Sequence, residues 1–246
     1  MSLVWYSKHP LKIAGLFVYQ ATKNISDGIL AEELQKLLAT ENLPHYNSSS
    51  IRYNFKEGLL VPSAHYKEAD REKLLACMYG EMPAAKYYSA SATKPAATHI
   101  FAVPEVVDDV LSTRFFGADV SSSNPCLIEY AAQKELFCII YNSYIKAILH
   151  VNGKLQIVQL YDYNTPADVA YHLLNVCQQH QISASEITLT LSGYIVEQSN
   201  LYEELYRYFL NIKMDDLSAD IELNDEIREQ PAHFFSFLIA LVQCAS

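Results

Sequence analysis

KELFCIIYNSYIKAILHVNGKLQIVQLY, residues 134–161, decides the fold. Within KELFCII (134–140), LFCII is an unbroken apolar run, as a strand buried on both faces requires. YIKAILHV (144–151) reads as a second strand. Asn152-Gly153 follows it, and this dipeptide is the strongest short hairpin signal because both residues tolerate positive φ. KLQIVQLY (154–161) therefore pairs back as a third strand. Thr165-Pro166-Ala167-Asp168 then supplies an N-cap and a proline at the first helical position, and VAYHLLNVCQQH carries the apolar period of a helix. Ile187 to Leu191 is a fourth strand, NLYEELYRYF (200–209) a second helix, LNIKM (210–214) a short strand, and HFFSFLIALVQCA (233–245) a last, core helix. Three antiparallel strands feeding a parallel crossover predict a mixed sheet with helices on its faces.

Upstream the pattern is echoed loosely. Leu3–Tyr6 and Lys12–Tyr19 read as a hairpin around Lys8-His9-Pro10, and Ile25–Leu38 as a helix capped near Asn24 or Ser26. Ile51–Phe55, Leu59–Val61, His99–Val103 and Ala118–Ser122 are strand-like, while Lys67–Tyr79, Pro104–Phe115 and Pro125–Gln133 are helical. The order in the C-terminal half is that of a ribonuclease-H-like lobe, and two such halves are expected, 1–125 and 126–246, as an approximate internal repeat. By that comparison an opening strand is missing before Leu3.

The bulk numbers narrow the chemistry. With 246 residues, half of them hydrophobic, the chain can bury a sizeable core. The formal net charge of -10 and the lack of a basic tract argue against nucleic acid, whose phosphates are held by clustered Lys and Arg. Cys77, Cys126, Cys138, Cys177 and Cys244 are widely spaced, without C-x-x-C, and fit neither a zinc site nor a disulfide framework. Buried thiols in a reducing cytoplasm are the expectation. The apolar C-terminal segment falls short of the ~20 residues of a membrane span, so no membrane partner is expected, and no signal peptide is apparent.

LLVPSAHY (59–66), HIFAVPE (99–105), YDYNTPADVAYHLLNV (161–176), LTLSGYIVEQSNLYEELYRYF (189–209) and PAHFFSFLIAL (231–241) resemble the bacterial family called domain of unknown function 3822, typical of Bacteroidetes. The resemblance covers most of the chain. It implies an actin-like ATPase fold, built of two ribonuclease-H-like halves, without an assigned activity and without catalytic residues to carry over.

Actin-like ATPases resemble one another where phosphate chemistry demands it. Each half opens with a hairpin whose Asp organises magnesium and whose glycines let amides reach the phosphates. Here the corresponding turns, Ile140-Tyr141-Asn142-Ser143-Tyr144 and Ser7-Lys8-His9-Pro10, have neither an acid nor a glycine, and few cations lie nearby. TLTLSGY (188–194) offers a single Gly193, followed by the bulk of Tyr194; a strand-to-helix turn needing positive φ explains it better than a ligand contact does. A metal-dependent nuclease would need acids on the first and fourth strands, and LFCIIYN and ITLTL contain none. If a nucleotide does bind, the residues to hold it are Ser192 and Gly193 with Asp162 and Asn164.

Other constellations are weak. None of His9, His45, His65, His99, His150, His172, His180 and His233 forms H-x-x-x-H or H-E-x-x-H, so surface or capping roles are expected. MDDLSADIELNDEIREQ (214–230) holds seven acids but no glycine bend for calcium, and reads as a solvated connector. The segments NSSS (47–50) and SSSN (121–124) lack a nucleophile elbow. In LYEELYRYF, Tyr202, Tyr206 and Phe209 share one face and Leu201, Leu205 and Tyr208 an adjoining one, an arc suited to packing or to a protein partner. The expectation is a non-catalytic adaptor or assembly factor acting through protein contacts, with no cofactor and no metal. The alternative is a divergent ATP-binding protein using Ser192-Gly193.

Overall fold

The computed structural model describes residues 1–8, 10–20, 25–41, 43–217 and 221–245. His9, the alternative cap Asn24, and residues 218–220 of the acidic tract lie outside the described residues. In chain order the elements begin with β1 (Ser2–Ser7), β2 (Lys12–Val18), α1 (Asp27–Thr40), β3 (Ser50–Tyr53), β4 (Gly58–Pro62) and α2 (Arg71–Tyr79). Next come β5 (Ala85–Ala92), β6 (Ala97–Pro104), α3 (Glu105–Arg114), β7 (Asp119–Ser122) and α4 (Asn124–Tyr130). They are followed by β8 (Leu136–Ile140), β9 (Tyr144–Val151), β10 (Lys154–Asp162), α5 (Pro166–Gln179), β11 (Thr188–Gly193) and α6 (Asn200–Tyr206). The chain closes with β12 (Asn211–Met214), β13 (Glu222–Leu223), α7 (Asp225–Arg228) and α8 (Ser236–Ala245).

Contacts gather these elements into two compact units: Met1–Tyr19 with Leu127–Ser246, and Gln20–Cys126. The expected boundary at 125/126 groups the N-terminal hairpin with the other unit. β2 pairs in parallel with β13, and Ile13 is buried in one core with Phe137, Ile139 and Phe237, so burial ties the hairpin to the C-terminal strands.

In the first unit the strand order is β10-β9-β8-β11-β12, antiparallel across β10-β9-β8 and parallel across β8-β11-β12, as the sequence predicts. β8 sits at the centre and every residue of it is buried, which is why LFCII shows no alternation. Asn152 (φ 51°) and Gly153 (φ 71°) make the predicted two-residue turn. Thr165 and Asp168 exchange side-chain and backbone hydrogen bonds as a capping box for α5, with Pro166 at its first turn. One face of the sheet is covered by α5 and α6 through Val169, Leu173, Val176 and Leu205, packed on Leu136, Cys138, Leu149 and Leu191. The other face carries Phe137, Ile139 and Ile148 against Leu127, Leu238 and Val242.

In the second unit β3 pairs in parallel with β7, and β4-β6-β5 form an antiparallel sheet. Ser26 caps α1 by accepting from the Ile29 amide. β5 lies in a stretch the sequence reading leaves unassigned, and pairs along its whole length with β6. Asp108 is buried and accepts from Tyr53 (2.7 Å), Tyr88 (2.9 Å) and Lys86 (2.8 Å). The Lys86 ammonium and the two phenols hold its carboxyl below the usual range against the opposing effect of burial. At Gly58 a Cβ would lie 2.6 Å from His99 Nε2, so the glycine makes room for a buried ring.

Four expectations need correction. His99, His150 and His233 are buried rather than at the surface. The acidic tract is not all solvated: Asp215 is buried, bound by Tyr130 (2.8 Å) and Lys134 (3.1 Å), and Glu222–Leu223 form β13. Only Cys77, Cys138 and Cys177 are free thiols, while Cys126 and Cys244 are disulfide-bonded. α6 ends at Tyr206, so Phe209 is buried from the segment beyond it rather than from a helix face, and Tyr206 and Tyr208 are exposed.

Candidate functional site

The end of the sheet where β8 turns into β9 and β11 runs out is where a phosphate-binding half would carry its chemistry. The turn there is Tyr141-Asn142-Ser143. The Tyr141 amide donates to Tyr144 O (3.0 Å), and the two rings stack with centroids 4.5 Å apart. Phe237 from α8 meets Tyr141 edge-on at 5.3 Å, and the Tyr163 hydroxyl donates to Tyr141 O (2.7 Å). The turn is thus walled by aromatic rings from the hairpin itself and from α8.

Gly193 ends β11 with φ +86°, and a Cβ there would stand 2.2 Å from Ile140 O. The Tyr194 amide donates to that same oxygen at 2.8 Å. The glycine therefore lets one strand's backbone approach its neighbour's, the second use of a residue without a side chain. Ser192 is fully buried; its hydroxyl donates to His233 O (3.0 Å) and lies 2.7 Å from the hydroxyl of Ser236, also fully buried. The His233 ring in turn donates through Nε2 to Ile195 O (2.7 Å). A closed set of hydrogen bonds fastens the β11 turn to the start of α8.

Asp162 and Asn164 stand elsewhere at the same end of the sheet. The register runs from Asp162 to Tyr144 on β9, from Ile145 to Ile140 on β8, and from Ile140 to Gly193 on β11. Three strand spacings separate the ends of that row, roughly 14 Å. The Asp162 carbonyl accepts from His172 Nε2 (3.1 Å), and the Asn164 amide donates to Asp168 Oδ2 (2.9 Å) as part of the α5 cap. The four residues do not converge on one point.

One residue near the turn escapes the sequence reading. Lys146, two positions into β9, is 1 % exposed, and burial pushes its amine down to about 7. The signal was a single cation inside the apolar run YIKAILHV. It places a cation where few were expected, but inside the core. Among the described residues no group of three or more His, Cys, Asp or Glu side chains could hold a metal ion, and no helix is long and apolar enough to cross a membrane.

The comparisons with known proteins agree with this architecture. A family model described as "Protein of unknown function (DUF3822)" matches residues 1–212. A crystal structure from Bacteroides thetaiotaomicron, described as a protein with actin-like ATPase fold and unknown function, is similar with a TM-score of 0.79 at 18% identity, over 99% of this chain and 91% of that one. A PilM-PilN type IV pilus biogenesis complex contains a chain similar with a TM-score of 0.63 at 13% identity, over 99% of this chain and 94% of that one. No curated protein sequence matches. The chain belongs to the DUF3822 family, as its motifs suggest, and its fold is the actin-like ATPase fold.

Proposed function

We propose that this protein is a non-catalytic scaffold on an actin-like fold, acting through protein contacts as an adaptor or assembly factor. The observation that carries this reading is the β11 turn: Gly193 packs on Ile140 O, and the Ser192 hydroxyl is bonded to His233 and Ser236. A phosphate would need those amides and that hydroxyl turned toward it, with a carboxylate on the neighbouring hairpin to organise its cation. The hairpin supplies Tyr141, Asn142 and Ser143 instead. The likeness to a chain in a pilus biogenesis complex supports an assembly role, since that fold serves there in a protein complex. A bacterial, cytoplasmic setting with neither nucleic acid nor membrane as partner belongs to the same proposal.

Calorimetric titration of the full chain with Mg-ATP tests it. No saturable heat is expected, and micromolar binding would overturn the scaffold reading in favour of a divergent ATP-binding protein. The compartment is tested separately by cell fractionation: recovery of the chain in the cytoplasmic fraction supports that setting, and recovery in the periplasmic or extracellular fraction contradicts it.

A further inference from the structure

β12 is an outer strand of the five-stranded sheet, and among the described residues no strand pairs with its free edge. The Asp215 amide donates inward to Leu191 O (2.8 Å). Backbone direction alternates along a strand, so Ile212 and Met214 turn their N–H and C=O groups outward, away from β11. Such a row of unpaired backbone groups is a template for another extended segment, and proteins ordinarily blunt it. β10, the opposite edge, is blunted in this way: a bulge interrupts its register between Leu155 and Ile157, and Gln156 and Gln159 donate their amides to the β10 carbonyls of Lys154 and Leu160. β12 has no bulge and no comparable side-chain bond along its outer edge among the described residues. Leu210, just before it, is 61% exposed, and Tyr208 is exposed as well.

Beside this edge, on the sheet face opposite α5 and α6, lies a groove of about 510 Å³. Thr190 and Lys213, register partners, line it together with Thr188, Gln133, Lys134 and Asp216. The charges there do not balance. Lys134 is bound to Asp215 and lies over the Tyr130 ring at 4.0 Å, so it is neutralised within the protein. Glu135, whose carboxylate accepts from the Thr188 amide (2.7 Å), and Asp216 remain against Lys213 alone. The chain continues from this rim into Glu222, Asp225 and Glu226, in a protein of net charge -10.

We propose that the β12 edge and its groove bind an extended, Lys- or Arg-bearing segment of a partner protein by strand addition. Main-chain bonds to Ile212 and Met214 supply the pairing, and alternate side chains of the guest enter the groove, where Asp216 and Glu135 select basic residues. This rests on the scaffold reading and gives it a docking site and a partner chemistry.

The test uses the isotopically labelled full chain and a synthetic peptide, acetyl-Lys-Val-Lys-Val-Lys-Val-Lys-amide. Binding is read by fluorescence anisotropy and the site by amide hydrogen exchange. Exchange at Ile212 and Met214 is expected to slow at least tenfold with peptide, and affinity to fall with added salt. The glutamate counterpart and a copy N-methylated at alternate residues are both expected to bind at least tenfold more weakly, as is the parent peptide to Asp216→Lys, whose thermal midpoint stays unchanged. Unchanged exchange at both amides overturns the proposal, as does equal binding of the acidic or N-methylated peptide. Slowing that appears with protein concentration alone overturns it too, because it assigns the edge to a second copy. Mg-ATP takes no part in this experiment, so its failure leaves the scaffold reading to its own titration.

Discussion

Two places on one sheet treat their backbone differently. Where β11 ends, the chain fills its surroundings with its own atoms: Ile140 O receives the Tyr194 amide, Gly193 lies against it, and Ser192 is bonded to His233 and Ser236. Along β12 the outward groups of Ile212 and Met214 have no strand beside them among the described residues. In an actin-like nucleotide site the openness belongs at the first place. Here it belongs at the second, and the proposed point of contact with a partner follows it, from a crevice of amides to an edge of strand. That difference is what the scaffold reading rests on, more than on any missing motif.

The comparison breaks if the β11 turn proves loose. Gly193→Ala sets a methyl against Ile140 O at positive φ, and the expected loss is about 4 kcal/mol of unfolding free energy by urea titration. A loss below about 1 kcal/mol would mean the turn has room for a guest.

Lys146 sharpens it next. Burial lowers its amine from 10.5 to about 7, so between those values the unfolded chain binds a proton that the folded chain does not. The difference in stability between wild type and Lys146→Met should therefore rise with pH from about 7 toward 10.5, by on the order of a few kcal/mol. Taking the difference removes the opposing contribution of the buried thiols Cys138 and Cys177, whose pKa burial raises. A difference that stays flat across the window would show the amine charged and solvated, a cation available at the turn.

Ser192→Ala deletes a buried hydroxyl and strips Ser236 and His233 O of a partner; about 1–2 kcal/mol is expected on the same urea assay. An unchanged midpoint would show that the bond set does not fasten the turn. Gly153→Ala is the smallest effect. Gly153 also has positive φ (71°), but a Cβ there meets nothing within 4 Å, so only conformational strain of about 1 kcal/mol applies. The ratio between the two glycine variants measures how much of Gly193's role is close approach.

Much of the sheet was legible because its signals are local. The Asn152-Gly153 turn, the Thr165 cap and the alternation of apolar runs lie within a few residues of what they determine. The contact that decides the site was not legible, since Ile140 and Gly193 are 53 positions apart and a glycine looks the same beside a ligand or a carbonyl. β5 was missed because small and polar residues outnumber the two tyrosines in AKYYSASA and give it no apolar alternation, and its partner β6 supplies the burial. β13 was hidden in an acidic tract, where pairing with β2 overrides composition. Lys146 and Asp215 were both charges whose burial only tertiary packing reveals.

The most direct measurement is a crystal structure of the protein grown with Mg-ATP. The account predicts Gly193 still packed on Ile140 O, Tyr141 still stacked on Tyr144, and no ordered phosphate at the Ser192-Gly193 amides. Triphosphate density at those amides, with the tyrosine pair displaced, would contradict it.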